Sequence, residues 1–353
     1  MLIHVDRAAF VEAATKAASF ADDPMPIVRI DAGERVTFSA TNNERFCRIV
    51  IDGNVRKRGA IVVDAHRIAA VAKGLTGSVV EITSTDSRMT IKGGATYTVP
   101  IVDPIDIMAP EFPEEHADVN GGALARAMTA TSYAIGGGQT KSGVPGVWME
   151  QKPDEVLVTS TDGHRLAHSA FATKGRFTVP ARTVLTAEAC KGLASLGGVV
   201  SLAFSIGWVH ARIGSDVYAW RCIDSDAPEW RTLLPTARDT IKVATFKASD
   251  ILGAMRRANN VVSKAARPTK FTISPNDCNI HTPGETEHSE PIPCETEASF
   301  VEGVRPAYVV DAIVALGNVD RVRVEVVGSL RPIIIRTEGE SESFAIVMPM
   351  RID

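Results

Sequence analysis

The sequence has few features that would indicate a disulfide, a metal site or a membrane segment. Its 353 residues include five scattered cysteines with no C-x-x-C pair, and aromatic residues make up only 6%. An odd number of scattered cysteines is typical of a reducing compartment and argues against a structural zinc site. The longest mostly apolar run, residues 199–209, is too short to span a bilayer, and no signal peptide is recognisable at the start. We therefore expect a cytoplasmic protein without a metal or another cofactor.

Catalytic and phosphate-binding motifs are also missing. Residues 136–142 are rich in glycine and end in Lys-Ser, but they lack the spacing of a phosphate-binding loop. Asp162 and His164 flank Gly163 in a turn that follows an alternating segment, and they could form a catalytic pair. No serine or cysteine nucleophile motif accompanies them, so a turn whose polar side chains bond the local backbone is the favoured interpretation. A hydrolase or nuclease that uses Asp162 and His164 is the competing hypothesis.

An apolar stripe with helical spacing recurs six times along the chain. Apolar residues at i, i+3, i+4 and i+7 form the buried face of an amphipathic helix. Alternating segments, such as residues 36–40 and 322–326, lie between the stripes and predict strands. The pattern predicts an α+β protein of six helix-plus-strand half-repeats, paired into three similar domains at residues 1–118, 119–241 and 242–353. The stripes repeat about every 60 residues and begin at Phe10, Ile68, Leu124, Ala189, Ile251 and Val309.

Basic residues are enriched in the six predicted helices. These helices hold ten Lys or Arg and six Asp or Glu, whereas the whole chain holds 38 and 42 and carries a net charge of −4. If the helices share one face, that face is relatively basic, which is the footprint expected for a phosphate backbone. The candidate residues facing DNA are Arg7, Lys16, Arg67, Lys73, Arg126, Lys191, Arg256 and Arg257.

Three motifs occur in a fixed order: TDGHRLA at residues 161–167, APEWRTLLP at 227–235 and FAIVMPMRI at 344–352. Together they resemble the bacterial DNA polymerase III beta subunits, the sliding clamps, and the resemblance extends over the whole chain. It implies the DNA-clamp fold and a head-to-tail homodimeric ring, with helices inside and sheets outside. Such a ring encircles double-stranded DNA without reading its sequence, and it is a non-catalytic processivity factor for the replicative polymerase. A divergent clamp-fold scaffold that does not encircle DNA is the alternative hypothesis.

The resemblance also implies a pocket for short clamp-binding peptides of the DNA polymerase III alpha subunit and of clamp-loader subunits. Branched aliphatic side chains and two methionines would give an adaptable apolar groove, in which we expect Arg165 to orient the peptide. The implied pocket residues are Val144, Thr161, Gly163, His164, Arg165, Leu166, Pro228, Thr232, Leu233, Tyr308, Ile346, Val347, Met348, Pro349, Met350 and Arg351.

A dimer interface is implied as well. Residues 97–99 predict an edge strand, and by resemblance this strand would meet a helix end and the strand at residues 270–273 of a second copy. The candidate interface residues are Tyr97, Val99, Val261, Val262 and Phe271.

The chain departs from the family pattern at several positions. Gly143 stands where many members have an aromatic residue, and Thr232 and Arg305 stand where we expect arginine and asparagine. Asp353 extends the usual end by one residue. Residues 22–23, both aspartate, occupy a loop in which a basic residue that touches DNA is common. These departures affect the implied affinity for peptides and one implied contact with DNA.

Overall fold

The computed structural model describes residues 1–137, 145–227, 229–262, 268–339 and 342–352. Within these ranges the chain forms six α-helices, one at each predicted stripe, so the prediction of six helices is confirmed. The helices are α1 (Arg7–Ala18), α2 (Ala65–Lys73), α3 (Gly121–Ser132), α4 (Ala187–Ala194), α5 (Ala248–Val261) and α6 (Pro306–Ala315).

Strands fill most of the remaining described chain, between the helices as the alternating segments predict. The strands that precede α3 are β1 (Leu2–Asp6), β2 (Ile27–Ala32), β3 (Val36–Thr41), β4 (Arg45–Ile51), β5 (Gly53–Lys57), β6 (Gly59–Asp64), β7 (Val79–Ser84), β8 (Arg88–Gly93), β9 (Ala95–Pro100) and β10 (Ala117–Asn120). The strands between α3 and α5 are β11 (Val147–Gln151), β12 (Glu155–Thr161), β13 (Arg165–Gly175), β14 (Thr183–Leu185), β15 (Val199–Ser205), β16 (Trp208–Ile213), β17 (Asp216–Asp224) and β18 (Lys242–Lys247). The last strands are β19 (Thr269–Ser274), β20 (Asp277–Thr282), β21 (His288–Pro293), β22 (Phe300–Val304), β23 (Arg321–Val326), β24 (Ile333–Thr337) and β25 (Phe344–Val347).

Each helix begins directly after a strand, and a local signal marks most of these transitions. The Asp6 and Asp64 carboxylates accept hydrogen bonds from backbone N–H groups in the first turns of α1 and α2, at 3.0 and 2.8 Å. Asn120 and Thr186 cap α3 and α4 in the same way, and Pro306 opens α6. The helices then pack in sequential pairs, α1 with α2, α3 with α4 and α5 with α6. This repetition agrees with the predicted half-repeats.

The first compact unit contains residues 1–118 and 198–221. It holds a five-stranded sheet, β5-β1-β7-β8-β9, and the strand path β15-β16-β17-β4-β3-β2-β6. Its core includes Phe10 of α1, whose ring meets Phe38 of β3 edge to face at 5.8 Å. Strand β17 pairs with β4, with Val217 opposite Arg48, so residues 198–221 belong to this unit although they fall in the predicted second domain. The division into three domains stays a prediction.

The second compact unit contains residues 119–197 and 222–353. It holds the strand path β18-β23-β24-β25-β13-β12-β11-β14 and a four-stranded sheet, β21-β20-β19-β22. A large core lies beneath α5 and α6 and includes Phe246, Met255 and Phe271. Strands β13 and β25 pair with Arg165 opposite Val347, and a 3-10 turn, Trp230–Leu233, follows the β17 segment. This register brings two of the three motif segments side by side.

Candidate partner-binding pocket

The turn between β12 and β13 is held by its own side chains. The Thr161 hydroxyl accepts a hydrogen bond from the Gly163 N–H at 3.1 Å and donates one to the carbonyl oxygen of Arg165 at 2.6 Å. The Asp162 carboxylate accepts from the backbone N–H groups of His164 and Arg165, at 2.9 and 3.0 Å. Gly163 has a φ of +86°, which glycine adopts without strain. This geometry supports the turn interpretation and leaves the Asp162 carboxylate engaged with the backbone rather than with an imidazole.

The Arg165 side chain is held in place by contacts with four other residues of this chain. Its Nε donates to Asp162 at 2.9 Å, and its Nη1 forms an ion pair with Asp311 of α6. Its guanidinium carbon lies 5.2 Å from the ring centroid of Tyr133 and 4.7 Å from that of Tyr308. Only 15% of the side chain is exposed. Arg165 therefore fixes the turn against α3 and α6, and the expectation that it orients an incoming peptide does not fit these contacts.

A cavity of 230 Å³ opens beside the turn. Three chain segments build it: the turn with the start of β13, the 3-10 turn, and the end of β25. Its base is apolar, because Leu166, Trp230 and Ile346 are almost fully buried and pack in one cluster. Eight residues of the implied pocket line it: Thr161, Gly163, Arg165, Leu166, Thr232, Leu233, Ile346 and Met348.

Two further residues line this cavity that the sequence did not indicate, Glu229 and Trp230. Both lie inside the second motif, separated from Thr232 and Leu233 by Arg231. The sequence alone does not indicate that the aromatic residue at the start of the 3-10 turn lines a cavity. Trp230 is 6% exposed and belongs to the apolar cluster at the base of the cavity, and Glu229 adds a carboxylate.

Several residues of the implied pocket do not line the cavity. Val347 is fully buried in the core beneath α5 and α6, because successive side chains of a strand point to opposite faces and Ile346 takes the cavity side. His164 stacks on Tyr308 with ring centroids 6.4 Å apart, so this pair stands beside Arg165. Pro349, Met350 and Arg351 follow the cavity, and the Met350 N–H donates to the Gly303 carbonyl at 2.8 Å. Val144 and Pro228 lie outside the described residues, as do Gly143 and Asp353.

A buried histidine, His168, packs against Trp230 at the base of the cavity. The imidazole of His168 lies 4.7 Å from the Trp230 ring and 4.8 Å from the Phe344 ring, and its Nδ1 is 2.8 Å from the Thr159 hydroxyl. Burial and, to a smaller extent, the charge of Arg231 lower the pKa of His168 to about 4, against an opposing effect of Glu150. The imidazole is therefore neutral near pH 7 and belongs to the apolar base of the cavity.

A larger groove of 680 Å³ lies between α3 and α6 of the same unit. Six alanines are the most frequent of its sixteen lining residues, which also include Val314, Arg126 and Asp311. The ion pair of Asp311 with Arg165 therefore connects this groove to the cavity. Small side chains give the groove no anchoring pocket, so we assign partner binding to the smaller cavity.

The candidate DNA-facing residues all lie on helices, but they are not equally available. Arg67, Lys73, Arg126, Lys191 and Arg256 are exposed and make no ion pair within the described ranges. Arg7 at the start of α1 is half-buried. The ammonium group of Lys16 lies over the Tyr218 ring at 5.4 Å, and Arg257 donates to Glu290 at 2.9 Å. Arg257 and Lys16 are thus partly occupied.

The candidate interface residues are divided between surface and core. Strand β9 is an edge strand, as predicted, and Tyr97 is half-buried on it, whereas Val99 is only 3% exposed. Val261 and Val262 are half-buried at the end of α5. Phe271 is 1% exposed, and β19 is paired on both sides by β20 and β22. Phe271 and the backbone of β19 are therefore unavailable to a second copy, which corrects the implied contact.

The free backbone of that four-stranded sheet belongs to its outer strands, β21 and β22. Prolines 291 and 293 interrupt the donors of β21. In β22 the Gly303 carbonyl accepts a hydrogen bond from the Met350 N–H, so the backbone polar groups of Gly303 point away from β19. Because this direction alternates along a strand, the backbone polar groups of Val301, two residues earlier, also point away from β19. Val301 is 45% exposed, so the outward edge of β22 is open at Val301, whereas Gly303 is already bonded to Met350.

Other kinds of site find no support. Among the described residues, no group of three or more His, Cys, Asp or Glu side chains could hold a metal ion. No disulfide joins any of the five cysteines, all of which lie in the described ranges, and burial raises the pKa of the Cys190 thiol to about 12. A search of the described helices finds none with the length and apolar character needed to cross a membrane.

Comparison with known proteins agrees with this architecture. Residues 118–229 match the family model of the DNA polymerase III beta subunit, central domain. The beta sliding clamp of Bacillus subtilis is 26% identical over 319 residues, which is 84% of this chain and 82% of that protein. The beta sliding clamp of Streptomyces coelicolor is also 26% identical, over 78% of this chain and 76% of its own length. The crystal structure of the DNA polymerase III beta subunit from Pseudomonas aeruginosa covers 100% of both chains with a TM-score of 0.90 and 19% identity.

The fold and the pocket therefore define a protein of the DNA-clamp class, α+β and built from repeated helix-plus-strand units. Taken with the sequence relatives, the chain is similar to the DNA polymerase III beta subunits, the bacterial sliding clamps, over most of its length. Members of this family are non-catalytic, and the hydrolase hypothesis is set aside.

Proposed function

We propose that this chain works as a homodimeric ring around double-stranded DNA and tethers the replicative DNA polymerase for processive replication. The observation that carries the proposal is the cavity of the second unit. Three segments more than 60 residues apart meet there, and they are the segments that resemble the family. In the ring the helices would face the DNA and the sheets would face outward. Such a clamp acts in the cytoplasm, with the bacterial chromosome.

The proposed ring closes through the edges of β9 and β22. The two strands belong to different compact units, so head-to-tail pairing of two chains uses each edge once and creates two identical interfaces. Val261 and Val262 at the end of α5 would add apolar contact area to this interface. Both edges are used within one two-fold symmetric dimer, so neither is left for a third chain.

The proposed contact with DNA is weak and independent of sequence. Exposed cations on the helices, such as Arg67, Arg126 and Arg256, would contact phosphates, which carry no base information. The net charge of −4 and the partners of Lys16 and Arg257 reduce this attraction. Weak contacts permit sliding, so retention on DNA must come from the closed ring.

The cavity would receive short apolar peptides of the polymerase III alpha subunit and of clamp-loader subunits. Its base is buried and apolar, and its volume of 230 Å³ suits one or two aliphatic or aromatic side chains. Met348 at its wall is half-buried and flexible, so it can adapt to different peptides.

Primer extension tests this function directly. With a cognate polymerase and loader on a long primed circular template, the protein should lengthen the products made in one binding event. A Met348→Lys variant should lose the effect, because it blocks the cavity. Products of equal length with and without the protein would favour the scaffold hypothesis.

A further inference from the structure

The partner-binding cavity carries a single free charge. Among the described residues, two ionisable side chains line it, Arg165 and Glu229. The guanidinium of Arg165 is already paired with Asp162 and Asp311 and is covered by two aromatic rings. Glu229 is exposed, and within the described part of the chain its carboxylate has no ion pair. An incoming peptide therefore meets one uncompensated negative charge at this cavity.

No cation of the 3-10 turn compensates that charge. Thr232 is neutral, and its hydroxyl donates to the backbone carbonyl of Glu229 at 2.6 Å. Arg231 instead donates to the Glu150 carboxylate at 2.5 Å and stacks on the Trp230 ring. Arg305 is occupied with the Tyr308 ring, 5.4 Å from its centroid, and does not line the cavity.

We propose that Glu229 determines specificity, and that this cavity prefers peptides with a lysine or arginine next to the apolar anchor residues. The inference rests on the proposed peptide-binding function. Because Glu229 is exposed, the preference is modest, about two- to fivefold in Kd between a lysine and a neutral residue. It weakens with added salt, since exposed charges are screened.

Fluorescence anisotropy can measure this preference with three labelled peptides. The peptides share one apolar anchor sequence and differ only in one flanking residue, which is lysine, glutamine or glutamate. Each is titrated with the wild-type protein, Glu229→Gln, Glu229→Lys and the matched control Glu12→Gln. Glu12 is an exposed carboxylate on α1 in the other compact unit, so its substitution makes the same change of charge.

At low salt, wild type and Glu12→Gln should bind the lysine peptide most tightly and the glutamate peptide least tightly. Glu229→Gln should bind all three alike, Glu229→Lys should prefer the glutamate peptide, and 1 M salt should remove every difference. Equal wild-type affinities at low salt, or a lysine preference that survives in Glu229→Gln, would overturn the inference while leaving the pocket intact. Binding that is absent for all three peptides, or insensitive to Met348→Lys, would contradict the proposed site itself, and the inference would fail with it.

Discussion

Arg165 and Asp311 form an ion pair that joins the turn beside the partner-binding cavity to helix α6. The two residues are 146 positions apart in sequence, and the guanidinium also lies between the rings of Tyr133 and Tyr308. Because 15% of the Arg165 side chain is exposed, its charge depends on these partners rather than on water. This contact holds the cavity wall in place.

Replacing Arg165 with lysine should destabilise the second unit. Lysine keeps the charge but cannot stack between two rings while pairing with two carboxylates. We expect a loss of about 1–2 kcal/mol in the free energy of unfolding. Arg182→Lys is the matched control, since Arg182 also pairs with two carboxylates, Asp224 and Asp226, but is 50% exposed. That variant should lose less stability, because water screens exposed ion pairs. Urea unfolding followed by tryptophan fluorescence compares them, and equal losses would contradict the clamped geometry.

Placing a charge in the cavity wall should abolish peptide binding without affecting assembly. Met348→Lys would place an ammonium group against the apolar base, where a bound apolar residue would desolvate it; Glu229 offsets only part of that cost, so we expect Kd to rise more than about 10-fold. Leu166 is a poorer choice, because it is 1% exposed and its replacement would unfold β13. Met108→Lys is the control, since Met108 is 88% exposed in the first unit. Calorimetry with a clamp-binding peptide measures affinity, and unchanged binding by Met348→Lys would place the site elsewhere.

Stability should fall as the pH is lowered from 6.5 toward 4. The pKa of His168 is about 4 in the folded chain and 6.5 in the unfolded chain, so the unfolded state binds more protons in this window. From this residue alone we expect a loss of about 2 kcal/mol between pH 7 and pH 5. His168→Gln should remove that part of the pH dependence, whereas His66→Gln, at an exposed position of α2, should not. His210, whose pKa burial also lowers to about 4, titrates in the same direction in the first unit. Parallel stability curves for wild type and His168→Gln would rule out this assignment.

Proline at Val301 should break the proposed dimer. The Val301 N–H faces away from β19, so proline removes a donor that only a second chain would use. Val301→Thr keeps the donor and a branched side chain and should remain dimeric. Analytical ultracentrifugation should show a monomer for Val301→Pro at concentrations where Val301→Thr is a dimer. A dimeric Val301→Pro would exclude the β22 edge.

The helices could be predicted from the sequence because their signals are local. The stripe Phe10, Ala13, Ala14 and Ala17 is the buried face of α1, and Asp6 before it is the cap. The carboxylate partner of Arg165 on α6, the core position of Val347 and the free edge of β22 could not be predicted. Each depends on contacts between segments distant in sequence, such as the pairing of β13 with β25. The motifs indicated which segments form the cavity, but the alternation of β25 decides which side chains face it.

Retention on circular DNA is the most direct test of a ring that encircles DNA. After a loader has closed the protein on nicked circular DNA, the salt is raised until simple equilibrium binding is lost, because phosphate contacts weaken steeply with salt. A restriction enzyme then opens the circle while bound protein is followed by gel filtration. The ring account predicts that the protein stays on the intact circle and is lost within moments of linearisation. Equal loss from circular and linear DNA would contradict it.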